Sequence, residues 1–263
     1  MTLKDTPMAT RRRLTRMSPT LVSSFPNTGK SFCVEQLKDE DKARTIIVDL
    51  EGKGLPNSFD DEYRTIIRIK PAGLVPPEKA HLYIDHENIK FKTLSELMPY
   101  IRLALGHPEV DRMVIDSFSA LVEQLEVLYV TTSNGYTVWN TYNKELSEWF
   151  SLLKEETRFN AKFVYILGHY RPSKASKGAD GKVTTDTEAE KYTLVKGSVH
   201  FRMVEANFNC VLSLEDHKLF ADNDNPYDST RIHKALSPFE TEVNSFKELE
   251  EKFAEVFNPI TAE

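Results

Sequence analysis

The chain has 263 residues, 40% of them hydrophobic and 28% charged, with a formal net charge of −6. That length and balance suit one α/β domain with a core large enough to fold alone. No apolar run approaches the ~18 residues of a membrane span, and the acidic balance excludes a generally basic molecule, leaving room only for a local basic face.

Two cysteines, Cys33 and Cys210, make no disulfide framework. Each lies in apolar sequence and reads as a buried core residue in a reducing interior. Residues 1–18 carry Arg11, Arg12, Arg13 and Arg16 with no apolar stretch behind them. They read as a basic tail that docks on a neighbour, on DNA or on nothing, and not as a secretory signal.

Leu21 to Phe25 reads as a short buried strand after Pro19, and Phe32 to Leu37 as a helix. Between them runs Ser24-Phe25-Pro26-Asn27-Thr28-Gly29-Lys30-Ser31. Gly29, Lys30 and Ser31 fit the phosphate-binding pattern G-x-x-x-x-G-K-[ST], while Ser24 stands where the first glycine belongs. Strand, loop and helix in this order form the context the pattern requires; the alternative is an ordinary Pro-Asn turn before a helix. In the phosphate-binding reading, the residues Ser24, Pro26, Asn27, Thr28, Gly29, Lys30, Ser31 and Phe32 surround the phosphates of a nucleoside triphosphate. Inward backbone N–H groups and the helix N-terminus favour the anion. Lys30 reaches the β/γ-phosphates, and the Ser31 hydroxyl ligates Mg²⁺. A serine at position 24 fits only with negative φ or at the cost of a left-handed backbone.

Arg44 to Glu51 is a second buried strand, β-branched and ending in carboxylates. Tyr63 to Ile69 alternates and reads as a third strand, and Pro71 to Pro77 as a loop. Leu94, Leu97, Met98, Ile101 and Leu105 fall at helical spacing, closed by Gly106 and Pro108. Arg112 to Asp116 is the next buried strand; helices over roughly 118–130 and 138–157 follow, separated by Ser133-Asn134-Gly135. Lys162 to His169 is another strand, 171–192 a polar mobile loop, and Asn209–Leu214 with Lys218–Ala221 a terminal strand pair. Phe246 to Phe257 is an acidic amphipathic helix. The expected organisation is a basic tail over 1–18, an ATPase core over 19–240 and an acidic helix or tail over 241–263. Alternating strands and helices imply a mainly parallel sheet flanked by helices, with antiparallel strands at its C-terminal edge.

A triphosphate-cleaving site also needs a carboxylate near Mg²⁺ and a group to position the attacking water. Asp116, ending an apolar strand, suits the first role; an N-cap of the following helix is the competing use of an Asp there. Its successor is Ser117, so no Glu follows it directly. Glu51, at the end of the second strand, supplies the missing acid, because parallel strands bring their carboxyl ends to one edge of the sheet. His169 ends a later strand and faces the same edge as a phosphate sensor or as a plain strand end.

Together these residues resemble the RecA-type recombinase core: the loop Ser24 to Ser31, then Val48-Asp49-Leu50-Glu51, Val114-Ile115-Asp116-Ser117 and Ile166-Leu167-Gly168-His169. The likeness spans about residues 19–222 and is greatest to short, phage-encoded RecA-core ATPases of single-strand annealing and recombination. It implies a RecA-like P-loop fold binding ATP and Mg²⁺, with Lys30 and Ser31 on phosphate and metal. It also implies Glu51 activating water, Asp116 as the Walker B acid beside Ser31 on the metal, and His169 as the sensor, where such recombinases often have Gln. It further implies a ring or filament of identical subunits, single-stranded DNA as partner with a single-strand-binding protein a further one, and a cytoplasmic setting, that of the host if phage-encoded. In such assemblies a neighbour's basic residue completes the site; Lys196 and Arg202 are the candidates.

The segment after His169 supports the DNA expectation. Arg171, Lys174, Lys177, Lys182, Lys191, Lys196 and Arg202 outnumber Asp180, Asp186, Glu188 and Glu190, with Tyr170, Tyr192 and Phe201 as stacking surfaces. Of these, Arg171, Lys174, Lys177 and Lys182 are the DNA-contact candidates; a solvated loop is the alternative. Competing functions are a P-loop nucleotide or small-molecule kinase, though no Arg-rich lid is evident, an ATP-gated assembly module that does not hydrolyse, and a helicase-type motor.

Overall fold

The computed structural model describes residues 18–25, 37–38, 41, 44–49, 66–68, 94–106, 110–126, 137–160, 162–170, 175–177, 183–185, 201–224, 230–242 and 246–257. Strands β1 (Thr20–Ser24), β2 (Thr45–Asp49) and β3 (Ile66–Arg68) are followed by helix α1 (Leu94–Gly106) and strand β4 (Arg112–Asp116). Helices α2 (Phe118–Glu126) and α3 (Thr137–Asn160) lead to β5 (Phe163–His169). A small ladder of β6 (Ala175–Lys177) and β7 (Val183–Thr185) comes next, then α4 (Phe201–Ala206), β8 (Cys210–Glu215), β9 (Lys218–Ala221), β10 (Phe239–Glu242) and α5 (Phe246–Phe257).

One eight-stranded sheet has the order β10-β9-β8-β1-β5-β4-β2-β3. From β8 to β3 every neighbouring pair is parallel; β9 and β10 are antiparallel additions at one edge. The mainly parallel α/β architecture with an antiparallel C-terminal edge is the one expected from the sequence. The strands read as unbroken apolar runs because both faces of the sheet are covered. Successive side chains of a strand point to opposite faces. Leu21, Met113, Ile115, Val164 and Ile166 accordingly join one core with Ile101, Phe118, Trp149 and Leu153 of the helices. Val22, Val114, Tyr165 and Leu167 join the other, with Leu37, Leu249 and Phe253.

The division of the cores follows from the direction of the connections. The steps β3→β4, β4→β5 and β5→β8 all move along the sheet toward β8, and α1, α2, α3 and α4 lie on one face. The step β1→β2 moves the other way, and Leu37, which belongs to that connection, lies on the opposite face. Crossovers of a single hand produce this split. The connections after β1 and β5, two adjacent strands, therefore have described residues on different faces, Leu37 on one and Val204 on the other. In open α/β sheets such a switch point is where ligands bind.

Several expectations are refined. The strand pair β8–β9 is not terminal, since β10 adds to β9. The stretch 171–192, read as a mobile loop, contains the antiparallel ladder β6–β7. The long helix runs Thr137–Asn160, beyond both expected ends. The helix expected over Phe32 to Leu37 lies outside the described residues except for Leu37.

α5 is fixed to the sheet by a buried ion pair. Arg112, 2% exposed at the amino end of β4, donates from Nε and Nη2 to the Glu250 carboxylate and from Nη1 to Thr45 Oγ1 at 2.9 Å. Tyr165 Oη donates to Glu250 Oε1 at 3.2 Å. This cluster lies at the amino edge of the sheet.

Candidate functional site at the carboxyl edge of the sheet

Register places the chemistry-bearing strand ends side by side. Ser24 of β1 pairs with His169 of β5, and Asp49 of β2 pairs with Asp116 of β4. β4 and β5 are themselves neighbours, with Asp116 opposite Leu167. The ends of β1, β5, β4 and β2 thus form a continuous row. In open α/β sheets, ligands bind outside such carboxyl ends.

Ser24 is the last residue of β1, in extended backbone and fully buried. Its carbonyl accepts a hydrogen bond from the Tyr170 N–H at 2.8 Å, and its hydroxyl donates to the Phe25 carbonyl at 3.1 Å. Glycine's left-handed freedom is not needed at this position, because the residue is still in the strand. A serine in the first position of the pattern is therefore compatible with the backbone seen here.

Asp116 ends β4, half-buried, and the Asp116–Ser117 peptide is cis. The N-cap of α2 is Ser117: its Oγ accepts the Ala120 N–H at 3.3 Å and its carbonyl the Leu121 N–H at 3.2 Å. The capping role that competed for Asp116 is thus filled by its neighbour. Ser119, buried in the first turn of α2, accepts the backbone N–H of His169 at 2.9 Å. The end of β5 is thereby tied to the helix that starts beside Asp116. Sequence reading missed Ser119, since a serine two residues into a helix carries no distinguishing signal.

The side of β1 away from β5 is held by β8. Tyr170 follows β5, is 2% exposed and donates its hydroxyl to Ser213 Oγ; Ser213 donates to Glu215 Oε1 at 3.2 Å. The Phe25 ring meets Tyr170 edge-on, with centroids 5.2 Å apart. Tyr170 is therefore a core residue and not the exposed stacking surface expected from the sequence; its neighbours on β8 lie more than 40 positions away in the chain.

The remaining sequence candidates are placed as follows. Lys177 belongs to β6 and Arg202 to α4. Pro26, Asn27, Thr28, Gly29, Lys30, Ser31, Phe32, Glu51, Arg171, Lys174, Lys182 and Lys196 lie outside the described residues. Glu51 is two positions past Asp49, the last residue of β2, and the phosphate-loop pattern continues directly from Phe25. Among the described residues there is no group of three or more His, Cys, Asp or Glu side chains able to hold a metal ion. A Mg²⁺ bound through one or two protein oxygens together with substrate phosphates needs no such cage.

No family model matches the chain, and no curated protein matches it. Among solved structures, the chain is similar to a KaiC-like protein from the hyperthermophilic archaeon Pyrococcus horikoshii, at 14% identity and a TM-score of 0.41. The match covers 75% of this chain and 72% of that one.

Proposed function

We propose that the protein is a RecA-like P-loop ATPase that binds ATP·Mg²⁺ at the carboxyl edge of the sheet and couples it to single-stranded DNA in recombination or strand annealing. The observation that carries the ATP reading is the register, Ser24 with His169 and Asp49 with Asp116, which puts the start of the phosphate loop and the acids on one edge. In this reading Lys30 holds the β/γ-phosphates and Ser31 and Asp116 hold Mg²⁺. Glu51 orients and deprotonates the attacking water, and His169 senses the γ-phosphate. The DNA part rests on the basic residues that follow His169 in the sequence and on the family resemblance. A neighbouring subunit in a ring or filament completes the site through Lys196 or Arg202.

The test is phosphate release from ATP with and without single-stranded DNA, across protein concentration. Stimulation by DNA with a steep dependence on protein concentration is the expected result. Rates indifferent to DNA, together with transfer of phosphate to a small acceptor, would establish a kinase instead. Lys30→Ala is expected to lose nucleotide binding, and Glu51→Gln to keep binding while losing turnover by about 100-fold or more, the usual scale of a general base. Unchanged turnover in Glu51→Gln would move the base elsewhere.

A further inference from the structure

The geometry points to Ser119 as a positioning residue for His169. This role rests on the proposed reading of His169 as the group that meets the γ-phosphate, and deepens it by naming what holds that group in place. β5 outlasts its neighbour β4: Asp116, the last residue of β4, lies opposite Leu167, two residues before the end of β5. Continued in register, β4 would bring Phe118 opposite His169, but Phe118 already belongs to α2. On its other side His169 lies opposite Ser24 of β1, whose carbonyl accepts the N–H of Tyr170. Successive N–H groups of a strand point to opposite sides, so the N–H of His169 faces the place where β4 would have continued.

Ser119 fills that place. Its Oγ accepts the His169 N–H at 2.9 Å, and the residue is 3% exposed. A strand N–H without a ladder partner is costly to leave unmet, so this side-chain acceptor stands in for the missing strand. Ser119 is itself firmly seated. Phe118 before it is fully buried, with its ring 5.6 Å from that of Phe150 on α3, and Ser117 caps the helix directly after Asp116. One hydroxyl therefore fixes the main chain from which the His169 side chain springs, and ties it to the turn that follows Asp116. Phosphoryl transfer is catalysed chiefly by the placement of charged and polar groups, so a small displacement of such a group costs rate.

The experiment compares the full-length protein with Ser119→Ala, His169→Ala and the double variant. It reads phosphate release at saturating ATP·Mg²⁺ with single-stranded DNA present, the dissociation constant of a fluorescent ATP analogue, and the melting temperature. Ser119→Ala is expected to lower turnover about tenfold, while affinity stays within about twofold of wild type. Because the bond goes to the main chain, it survives in His169→Ala. Ser119→Ala is therefore expected to lower the melting temperature equally in both backgrounds, but to slow turnover only where His169 is present. A purely structural serine would slow both backgrounds alike. Wild-type turnover in folded Ser119→Ala, or an equal rate loss in the His169→Ala background, would overturn the positioning role. Should Ser119→Ala fail to fold, Ser119→Cys keeps the shape with a much weaker acceptor, and unchanged turnover there overturns the role equally. Unchanged turnover in His169→Ala removes the role of His169, and that of Ser119 with it. A wild-type protein that releases no phosphate overturns the ATPase reading itself, and this proposal with it.

Discussion

At the scale of single residues, the environment decides what each reactive group can do. Cys210 is buried on β8, and desolvation pushes its thiol up to about 12, against a weaker pull from the Thr20 hydroxyl. The thiolate is the nucleophile, so this sulfur is inert in the folded chain. In native protein at pH 8, peptide mapping after iodoacetamide treatment is expected to find Cys210 unmodified, with full modification in denaturant. Native labelling would mean that β8 opens locally. Asp111 shows the opposite shift. Hydrogen bonds from Arg44 lower its carboxyl below 3.8, opposed by partial burial and aided by the charges of Arg44 and Lys162. The unfolded state then holds the proton more tightly than the folded state. The stabilisation is complete above the unfolded value and disappears as pH falls through the folded one. Because Asp111 is 48% exposed, solvent screens the pair and its worth is below about 1 kcal/mol. Asp111→Asn is expected to flatten the loss of stability below about pH 4 by that amount; a denaturation series showing the same slope in both proteins would dismiss the ion pair.

At the scale of elements, the tight turn between β8 and β9 departs from what its geometry favours. Glu215 pairs with Lys218, leaving two turn residues, Asp216 and His217, at φ 46° and φ 62°. A two-residue hairpin with both residues at positive φ favours Asn-Gly, because a Cβ is crowded in the left-handed region. His217→Gly is expected to raise stability by about 1 kcal/mol, visible as a higher denaturation midpoint. A lower midpoint would show that the His217 side chain contributes contacts worth more than the strain. The turn joins the strand that carries Ser213 and Glu215 to the edge of the sheet.

The strand elements were the most legible in the sequence. Arg112–Asp116, Phe163–His169 and Thr45–Asp49 are short, apolar and β-branched; the first two end where expected, while the third lies within the expected Arg44 to Glu51 and ends two residues sooner. β10 escaped notice because Phe239-Glu240-Thr241-Glu242 has only two residues facing the core, with Glu240 and Glu242 exposed. An edge strand buries one face and forms hydrogen bonds on one side, so its apolar signal is weak. Among the candidate residues, Asp116 and His169 do lie at the ends of apolar strands, as expected. Tyr170 was misread for a different reason: an aromatic beside basic residues looks like a nucleic-acid surface, and only its contact with Ser213 and Phe25 shows it turned inward.

At the scale of the whole molecule, α5 closes the second face of the sheet through Arg112 and Glu250. Burial pushes the Glu250 carboxyl up, and the two Arg112 donors oppose it. Removing one partner leaves the other charge buried and uncompensated, which is more damaging than replacing both with apolar groups. Glu250→Ala is expected to cost about 3 kcal/mol, read as a lower denaturant midpoint at unchanged slope, while Arg112→Met with Glu250→Leu recovers most of it. A loss under about 0.5 kcal/mol in the single variant, the scale of an ordinary surface change, would mean that Leu249 and Phe253 alone hold the helix.

The sequence by itself determined the class of sheet and the order of its central elements, and nominated the strand ends as candidates for chemistry, because unbroken apolar strands ending in Asp or His can be read along the chain. Tertiary structure alone decided which of those ends are neighbours. Strand order places β5 between β1 and β4, so that His169 faces Ser24 while Asp116 faces Asp49. It also brought Ser213 under Tyr170 and Glu250 onto Arg112, across separations of 43 and 138 residues. Local pattern carries no information about such pairings, because they are selected by the packing of two covered faces and by the direction of each crossover.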